Sequence, residues 1–223
     1  MSYIIYNDAS SAEKGLKILE MSAVSKAKQI RESKMIPGRP EPLVMMKDNL
    51  ENKECRVVFE ASPDVELHSI FSWLSGTGKL ILSDEPDKYY NAISCEPVKV
   101  VRENDIYKTV TVVFETGPFA YAVSNEPLVY TEKEFYLTNN GTYYCQPKYK
   151  LYGTGDISLI VNGQKLIVKD VEEYAVADSE KLLCYKNNTI IRSKGIIPFL
   201  NTGNNSIQTN AKQIEITKNE RWL

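Results

Sequence analysis

The second half of the chain alternates short apolar segments with residues that favour tight turns. Asn-Gly dipeptides at 140–141 and 162–163 predict two-residue hairpin turns, because both central residues need a positive φ, which Asn and Gly adopt at little cost. Short strands are predicted at 148–152, 157–161, 165–169, 181–185, 190–193, 205–209 and 213–217. Strands of this length and spacing favour a β-sandwich, which we place at residues 133–223.

One amphipathic helix is predicted in the first half, over residues 63–75. Ser62 is a suitable N-cap, and Pro63 fits the first helical position. Asp64 and Glu66 in the first turn complement the helix dipole. Apolar residues follow at helical spacing: Leu67, Ile70, Phe71 and Leu74. Gly76 and Gly78 end the helical pattern. The single histidine, His68, lies off the apolar stripe and is predicted to be exposed and not catalytic.

The remainder of the first half is expected to be rich in β-structure and to form a separate domain, residues 1–132. Strands are predicted at 56–60, 79–83, 89–93, 98–102 and 106–114, with a turn at 84–87 and a polar hairpin connection at 103–105. A weak helical pattern surrounds Leu16, Leu19 and Val24. The proline-rich stretch 36–42 excludes a regular helix and predicts an exposed loop or arm.

Composition and charge argue against several classes of function. A net charge of -2 and a pI near 5.7 give no overall basis for nucleic-acid binding. One segment carries a local run of basic residues: Lys26, Lys28, Arg31 and Lys34. This run can be interpreted as a contact for DNA or an acidic partner, or as a solvated face. We favour the solvated face. No signal peptide and no membrane insertion are expected. The cysteines lack a Cys-x-x-Cys pair and are predicted to be buried, reduced thiols: Cys55, Cys95, Cys145 and Cys184.

Several short strings imitate functional motifs but lack their required parts. The segment 76–79 lacks the first glycine of a phosphate loop and has Leu80 in place of the magnesium-binding Ser or Thr. The segment 153–155 lacks the third glycine of a dinucleotide site. The acidic residues near Pro86 lack calcium-loop spacing, and the 178–180 pair of carboxylates has no evident partner that activates water. We therefore predict no enzyme activity, no catalytic, metal or cofactor-binding residues, and no cofactor.

The ordered motifs resemble those of the distal tail proteins of long-tailed phages. In the first half the resemblance is carried by Trp73-Leu-x-x-x-Gly-Lys79-Leu-Ile-Leu-x-Asp84-x-Pro-Asp87-x-Tyr-Tyr90-x-Ala92 and Val112-Val-Phe114-x-x-x-Pro118-x-x-Tyr121. In the second half it is carried by Asn140-Gly141, Pro147, Gly153-x-Gly155, Asn162-Gly163, Asp178-Ser-Glu180 and Pro198-x-Leu-x-x-Gly203-x-Asn205-x-Ile207. It covers the chain from about residue 35. One departure is Pro40-Glu41, where the family often has an acidic residue and glycine.

The resemblance implies a mainly β fold in two parts. An α+β N-terminal domain with one packed helix would form a hexameric ring, and a galectin-like β-sandwich would surround it. Such a subunit would connect the tail tube to the tail-associated lysin or baseplate proteins and the receptor-binding apparatus, with DNA only as passing cargo. It would be located in the virion tail tip, and in the bacterial host cytoplasm during assembly. A glycan-binding adhesion module of a phage tail or cell surface is the alternative, since galectin-like sandwiches can bind sugars.

Overall fold

A computed structural model describes residues 2–22, 25–103 and 107–223. The chain forms two compact units, one comprising residues up to Ala120 with Leu223, and one from Tyr121 to Trp222. The division lies between residues 120 and 121, and so differs from the predicted boundary between 132 and 133. The difference arises because residues 128–130 form a strand that pairs within the second unit. That each unit folds independently stays a prediction.

The first unit is built around one antiparallel sheet. Its elements are β1 Ile4–Tyr6, β2 Ala9–Ser10, β3 Leu16–Met21, β4 Gln29–Lys34, β5 Leu43–Leu50, β6 Lys53–Ala61, α1 Leu67–Trp73, β7 Gly78–Leu82, β8 Lys88–Glu103 and β9 Tyr107–Ala122. The strand order of the sheet is β2-β1-β7-β8-β9-β6-β3, and β9 continues through the division into the second unit.

The strands predicted from β-branched residues are confirmed in β6 to β9. Val57 pairs with Val112 and Phe59 with Val110, and all four side chains are fully buried. This alternation explains why the segment forms a strand with one face in the core. The predicted strands at 89–93 and 98–102 are one continuous strand, β8. Ile106 and most of the predicted connection, 104–105, lie outside the described residues.

The helix is shorter than predicted. Pro63 to Val65 form a turn in which the Val65 amide donates to the Ser62 carbonyl at 3.1 Å, so Ser62 does not cap the helix. The N-cap is Glu66, without a side-chain hydrogen bond. A helix of 7 residues buries a narrow stripe, here Ile70 followed by Leu74 just beyond its end, while Phe71 is only half-buried.

The buried ring of Tyr6 connects α1 to the sheet. Trp73 Nε1 donates to the Tyr6 carbonyl at 2.9 Å, and the Tyr6 hydroxyl donates to the Gly76 carbonyl at 2.9 Å. The Tyr6 ring lies 5.3 Å from Phe114 in an edge-to-face arrangement. Tyr6 therefore holds the C-terminal end of the helix through both its backbone and its side chain.

The N-terminal segment is β-structure rather than helix. Leu16 and Leu19 lie in β3, which pairs with β6, so the weak helical pattern was a wrong indication; Val24 lies outside the described residues. Strands β4 and β5 pair with each other in a separate two-stranded sheet. The residues between them, 35–42, are exposed, which confirms the predicted exposed loop or arm.

The second unit is a β-sandwich, as predicted. Its strands are β10 Leu128–Tyr130, β11 Glu134–Asn139, β12 Lys148–Tyr152, β13 Gly155–Val161, β14 Gln164–Val171, β15 Tyr174–Asp178, β16 Leu183–Lys186, β17 Thr189–Ile190, β18 Ser193–Gly195, β19 Gly203–Thr209, β20 Gln213–Thr217 and β21 Arg221–Trp222. One sheet has the order β10-β20-β12-β15-β16-β17 and the other β11-β19-β13-β14-β18. Alternate residues of both sheets form a common core, which includes Tyr149, Leu159, Leu166 and Ile214.

The two Asn-Gly dipeptides have different structures. Asn162 and Gly163 have φ values of 49° and 83° and connect β13 to β14, which confirms the predicted hairpin turn. Asn140-Gly141 is not such a turn, because β11 pairs with β19 and neither residue has a positive φ. A Cβ on Gly141 would meet the Arg221 carbonyl oxygen at 2.4 Å. This glycine is thus required by a close approach of distant backbone and not by a turn.

Candidate assembly surfaces

The most exposed apolar surface of the first unit is the hairpin arm, which we define as residues 29–50. Its apolar side chains have large exposed fractions: Met35 67%, Met46 54%, Val44 50%, Met45 47%, Leu43 39% and Ile36 37%. Successive residues of a strand point to opposite faces, so Leu43 and Met45 lie on one face of β5 and Val44 and Met46 on the other. Both faces of the arm therefore expose apolar side chains.

Polar contacts hold the two strands of the arm in register. Lys47 forms an ion pair with Glu32, and Gln29 Nε2 donates to the Lys47 carbonyl at 2.9 Å. The basic residues singled out in the sequence are all exposed along or just before the arm: Lys26, Lys28, Arg31 and Lys34. The arm thus combines exposed methionines with a basic strand. An isolated two-stranded hairpin is marginally stable in water, so a partner surface would stabilise it.

A polar cluster in the first unit resembles a catalytic site in composition but not in arrangement. Glu85 Oε2 accepts from the Tyr90 hydroxyl at 2.5 Å, and Glu85 Oε1 accepts from Lys88 Nζ at 2.7 Å. Lys53 Nζ lies 4.8 Å from the centroid of the Tyr90 ring. The acidic residues considered in the sequence as a metal cluster were Asp84, Glu85 and Asp87. Among these three, the structure brings only Glu85 into this polar cluster, where its side chain connects a turn to β8.

The pKa values of this cluster follow from burial and charge. Partial burial alone would raise the pKa of Glu85, but hydrogen bonds from Lys88 and Tyr90 and the charges of Lys88 and Lys53 lower it overall. Burial, followed by the Glu85 hydrogen bond, raises the pKa of Tyr90. Burial also lowers the pKa of Lys53, opposed by the charge of Glu85. The carboxylate is stabilised as an ion, which suits a structural contact better than a general base.

Asp178 is buried and stabilises a turn. Its Oδ1 accepts from the backbone amides of Glu180 and Lys181, each at 3.1 Å, and the side chain of Ser179 donates to the Pro198 carbonyl at 2.7 Å. Glu180, by contrast, is exposed. The 178–180 pair therefore separates into a buried turn residue and a surface residue.

The other residues singled out in the sequence, Lys79 and the four cysteines, lie in strands or in the protein interior. Lys79 lies in β7 with its Nζ 4.7 Å from the Tyr89 ring centroid, and the neighbouring 76–78 segment leaves α1 for a strand. Burial raises the pKa of the Cys95 and Cys145 thiols to about 12, so both stay protonated at neutral pH. Cys184 is buried and Cys55 half-buried, and all four are free. Within the described residues no cluster of His, Cys, Asp and Glu could hold a metal ion. None of the helical structure described for this chain has the length and hydropathy of a membrane span.

An aromatic pair lies on one sheet of the second unit. The rings of Tyr152 and Tyr174 are 6.0 Å apart, and Lys150 Nζ lies 4.8 Å and 5.0 Å from their centroids. Lys186 Nζ lies 5.4 Å from the Tyr174 ring. The Tyr152 hydroxyl donates to Glu215 at 2.7 Å. Lysine side chains therefore already contact the faces that a sugar ring would stack on.

The apolar exposure of the arm was not predicted from the sequence, although one signal was present. The run Leu43-Val-Met-Met46 directly follows the proline-rich loop. Four consecutive apolar residues after an exposed loop indicate either a buried strand or an exposed contact surface, and only the structure separates these possibilities.

The fold belongs to the class of β-rich, two-unit proteins with one short helix. Its structure is similar to that of the SPP1 Dit (gp 19.1) protein, whose crystal structure is described as a paradigm of the hub adsorption apparatus in Gram-positive infecting phages. The TM-score is 0.80 at 14% sequence identity, with 100% of both chains covered. The resemblance to distal tail proteins is thereby confirmed at the level of the fold. No protein-family model and no curated protein matches the sequence.

Proposed function

We propose that this chain is a non-enzymatic structural subunit of a phage tail tip. In this role it forms a hexameric ring hub that joins the tail-tube protein to the tail-associated lysin or baseplate proteins and the receptor-binding apparatus. DNA passes through the ring as cargo. The chain is a virion component that is present in the bacterial host cytoplasm during assembly.

The observation that carries this proposal is the similarity to a hub protein over the whole length of both chains. Shared fold alone does not assign function, so surface chemistry supplies the second support. The charged candidates Glu85 and Asp178 are engaged in structural contacts, whereas the hairpin arm exposes apolar side chains on both faces. This distribution suits a protein that acts through contacts with other proteins.

We assign the hairpin arm to the contact between neighbouring copies in the ring. A closed ring of identical subunits needs one heterologous interface repeated around its axis. Methionine and branched aliphatic side chains adapt to an apolar partner surface, and coverage of both faces would stabilise β4 and β5. The exposed proline-rich loop at 35–42 extends the same surface.

The rival function, glycan binding, finds little support at the Tyr152 and Tyr174 pair. Sugar rings stack on exposed aromatic faces, and here Lys150 lies within 5.0 Å of both ring centroids. The Tyr152 hydroxyl is also engaged by Glu215. Binding of the purified protein to a glycan array would reverse this preference.

Imaging of tail particles, or of a tip complex expressed together, tests the proposed function. We expect a six-fold ring of this chain at the junction of tube and tip. Purified particles that lack this chain, or contain it without a ring, would contradict the proposal.

Substitutions in the hairpin arm test its assignment. Val44→Asp combined with Met46→Asp places two carboxylates on one exposed face, so the variant should fold but fail to enter the ring. Leu19→Asp is the matched control, since Leu19 is 49% exposed on β3, outside the arm. Incorporation into particles, measured by quantitative mass spectrometry, should fall for the arm variant alone. Equal incorporation of both variants would contradict the assignment.

A further inference from the structure

The sandwich of the second unit has two open edges on opposite sides. Strands β10 and β11 are the first strands of the two sheets, and β17 and β18 are the last. At the β10–β11 side the rings of Tyr130 and Phe135 stack on each other across the two sheets, with their centroids 4.1 Å apart. On both sides the outermost strands leave one row of backbone hydrogen-bonding groups unpaired by the sandwich.

Each edge carries exposed apolar side chains. The β10–β11 side exposes Tyr136 at 77%, Val129 at 55% and Leu128 at 36%. The β17–β18 side exposes Ile190 at 69% and Ile196 at 64%. Large apolar side chains gathered beside unpaired strand edges are typical of contact surfaces.

The two edges carry opposite charge. Residues 126–136, the acidic edge, contain Glu126, Glu132 and Glu134 with one cation, Lys133. Residues 180–196, the basic edge, contain Lys181, Arg192 and Lys194 with one carboxylate, Glu180, while their remaining cation, Lys186, is paired with Glu173. Within the part of the chain that the structure describes, neither the three glutamates of the acidic edge nor Lys181, Arg192 and Lys194 form an ion pair.

We propose that the acidic edge of one sandwich binds the basic edge of the next copy of this chain. Patches that differ but complement each other on opposite sides of a subunit are the requirement for head-to-tail contact. Opposite charge sets the register and direction, and the apolar side chains supply the buried area. The inference rests on the proposed function for the ring, and adds to it a second interface that is separate from the hairpin arm.

Charged residues on edge strands also prevent unwanted strand pairing. That role accounts for Arg192 and Lys194 alone, but it gives no reason for Ile190 and Ile196 to be exposed beside them. Nor does it account for the opposite sign of charge at the other edge. A complementary partner surface explains all three observations.

Cross-linking between copies tests the interface in full-length chains within purified tail particles. Glu134→Cys with Lys194→Cys, treated with a short bis-maleimide, should give covalent oligomers. Glu134→Cys with Thr154→Cys is the matched control, because Thr154 is exposed between β12 and β13, which are inner strands of the two sheets. Wild-type protein, with its four native thiols, sets the background.

A charge swap gives an independent readout on the same particles. With a second cysteine pair at uncharged edge positions, Val129→Cys and Ile190→Cys, the change Glu132→Lys with Glu134→Lys, or Arg192→Glu with Lys194→Glu, should lower the yield of bis-maleimide cross-links by roughly fivefold or more. The four substitutions together should restore it. Cross-links and rescue support the interface. A ring whose sandwiches show neither overturns the interface and leaves the proposed function standing, whereas particles without a ring overturn both.

Discussion

At the scale of single residues, the burial of Ile70 and Leu74 determines how α1 is held in the first unit. Ile70 is 1% exposed and Leu74 fully buried, whereas the ring of Phe71 packs 6.2 Å from that of the exposed His68. Phe71, which the sequence placed in the apolar stripe of the helix, is therefore only partly buried.

We expect Ile70→Ala to lower the free energy of unfolding of the first unit by about 2–5 kcal/mol, because it leaves a cavity under the helix. Phe71→Ala should cost below about 2 kcal/mol, since part of that ring is already in water. His68→Ala is the control and should have little effect. Urea unfolding followed by tryptophan fluorescence measures all three, and a larger effect at Phe71 than at Ile70 would contradict this orientation.

Acid should weaken the first unit through Glu85. Its pKa is lowered below the ordinary value of 4.5, so the carboxylate contributes stability above about that pH and loses it as the pH falls through the folded-state pKa. Glu85→Gln should therefore be less stable than wild type at pH 7, and the difference should shrink towards pH 3. Urea midpoints across this range test the sign. A difference independent of pH would show that the charge of Glu85 is not involved.

At the scale of elements, the two Asn-Gly sites show what local sequence does and does not determine. The 162–163 turn depends on two adjacent residues and their φ preferences, so it was predictable. The structure at 140–141 depends on Arg221, far along the chain, and no local pattern indicates that contact. The prediction that Ser62 caps the helix was wrong because local residues allow more than one structure. A turn at 63–65 suits the same polar and proline residues as a helix N-terminus does.

Substitutions at the two glycines should separate these causes. At Gly163, with φ of 83° and open space around it, Ala should cost about 1–2 kcal/mol and Asn less, because Asn adopts a positive φ more readily. At Gly141, Ala should cost roughly 1–3 kcal/mol through overlap with backbone, and Asn at least as much. Thermal unfolding of the four variants tests this. A milder effect of Asn than Ala at both sites would contradict the steric account of Gly141.

The sequence predicted strands more reliably than surfaces. Strands β12, β13, β14, β19 and β20 follow from β-branched and aromatic residues and from turn signals. The hairpin arm was expected only as an exposed loop, because apolar residues such as Met45 and Met46 normally indicate burial. The opposed charges of the sandwich edges could not be foreseen either, since strand order places β10 and β11 on one side and β17 and β18 on the other.

At the scale of the whole molecule, the position of the boundary predicts which fragment folds. Residues 121–223 should give a cooperative thermal transition with a β-type circular dichroism spectrum. Residues 134–223 should melt at a lower temperature, because they lack β10, which pairs with β20, and the Tyr130 ring that stacks on Phe135. Equal melting temperatures would place the boundary near residue 133 instead, and a disordered 121–223 fragment would contradict independent folding.

The places of β19 and β20 affect how the chain folds as it is made. Each lies inside its sheet, β19 between β11 and β13 and β20 between β10 and β12, although both are among the last strands in the sequence. On the ribosome, β10 and β11 emerge long before the strands they pair with. The sandwich can therefore close only after β19 and β20 have been made, and its long-range pairings favour slow folding. Chains released early would expose both sheets and become substrates for chaperones and proteases.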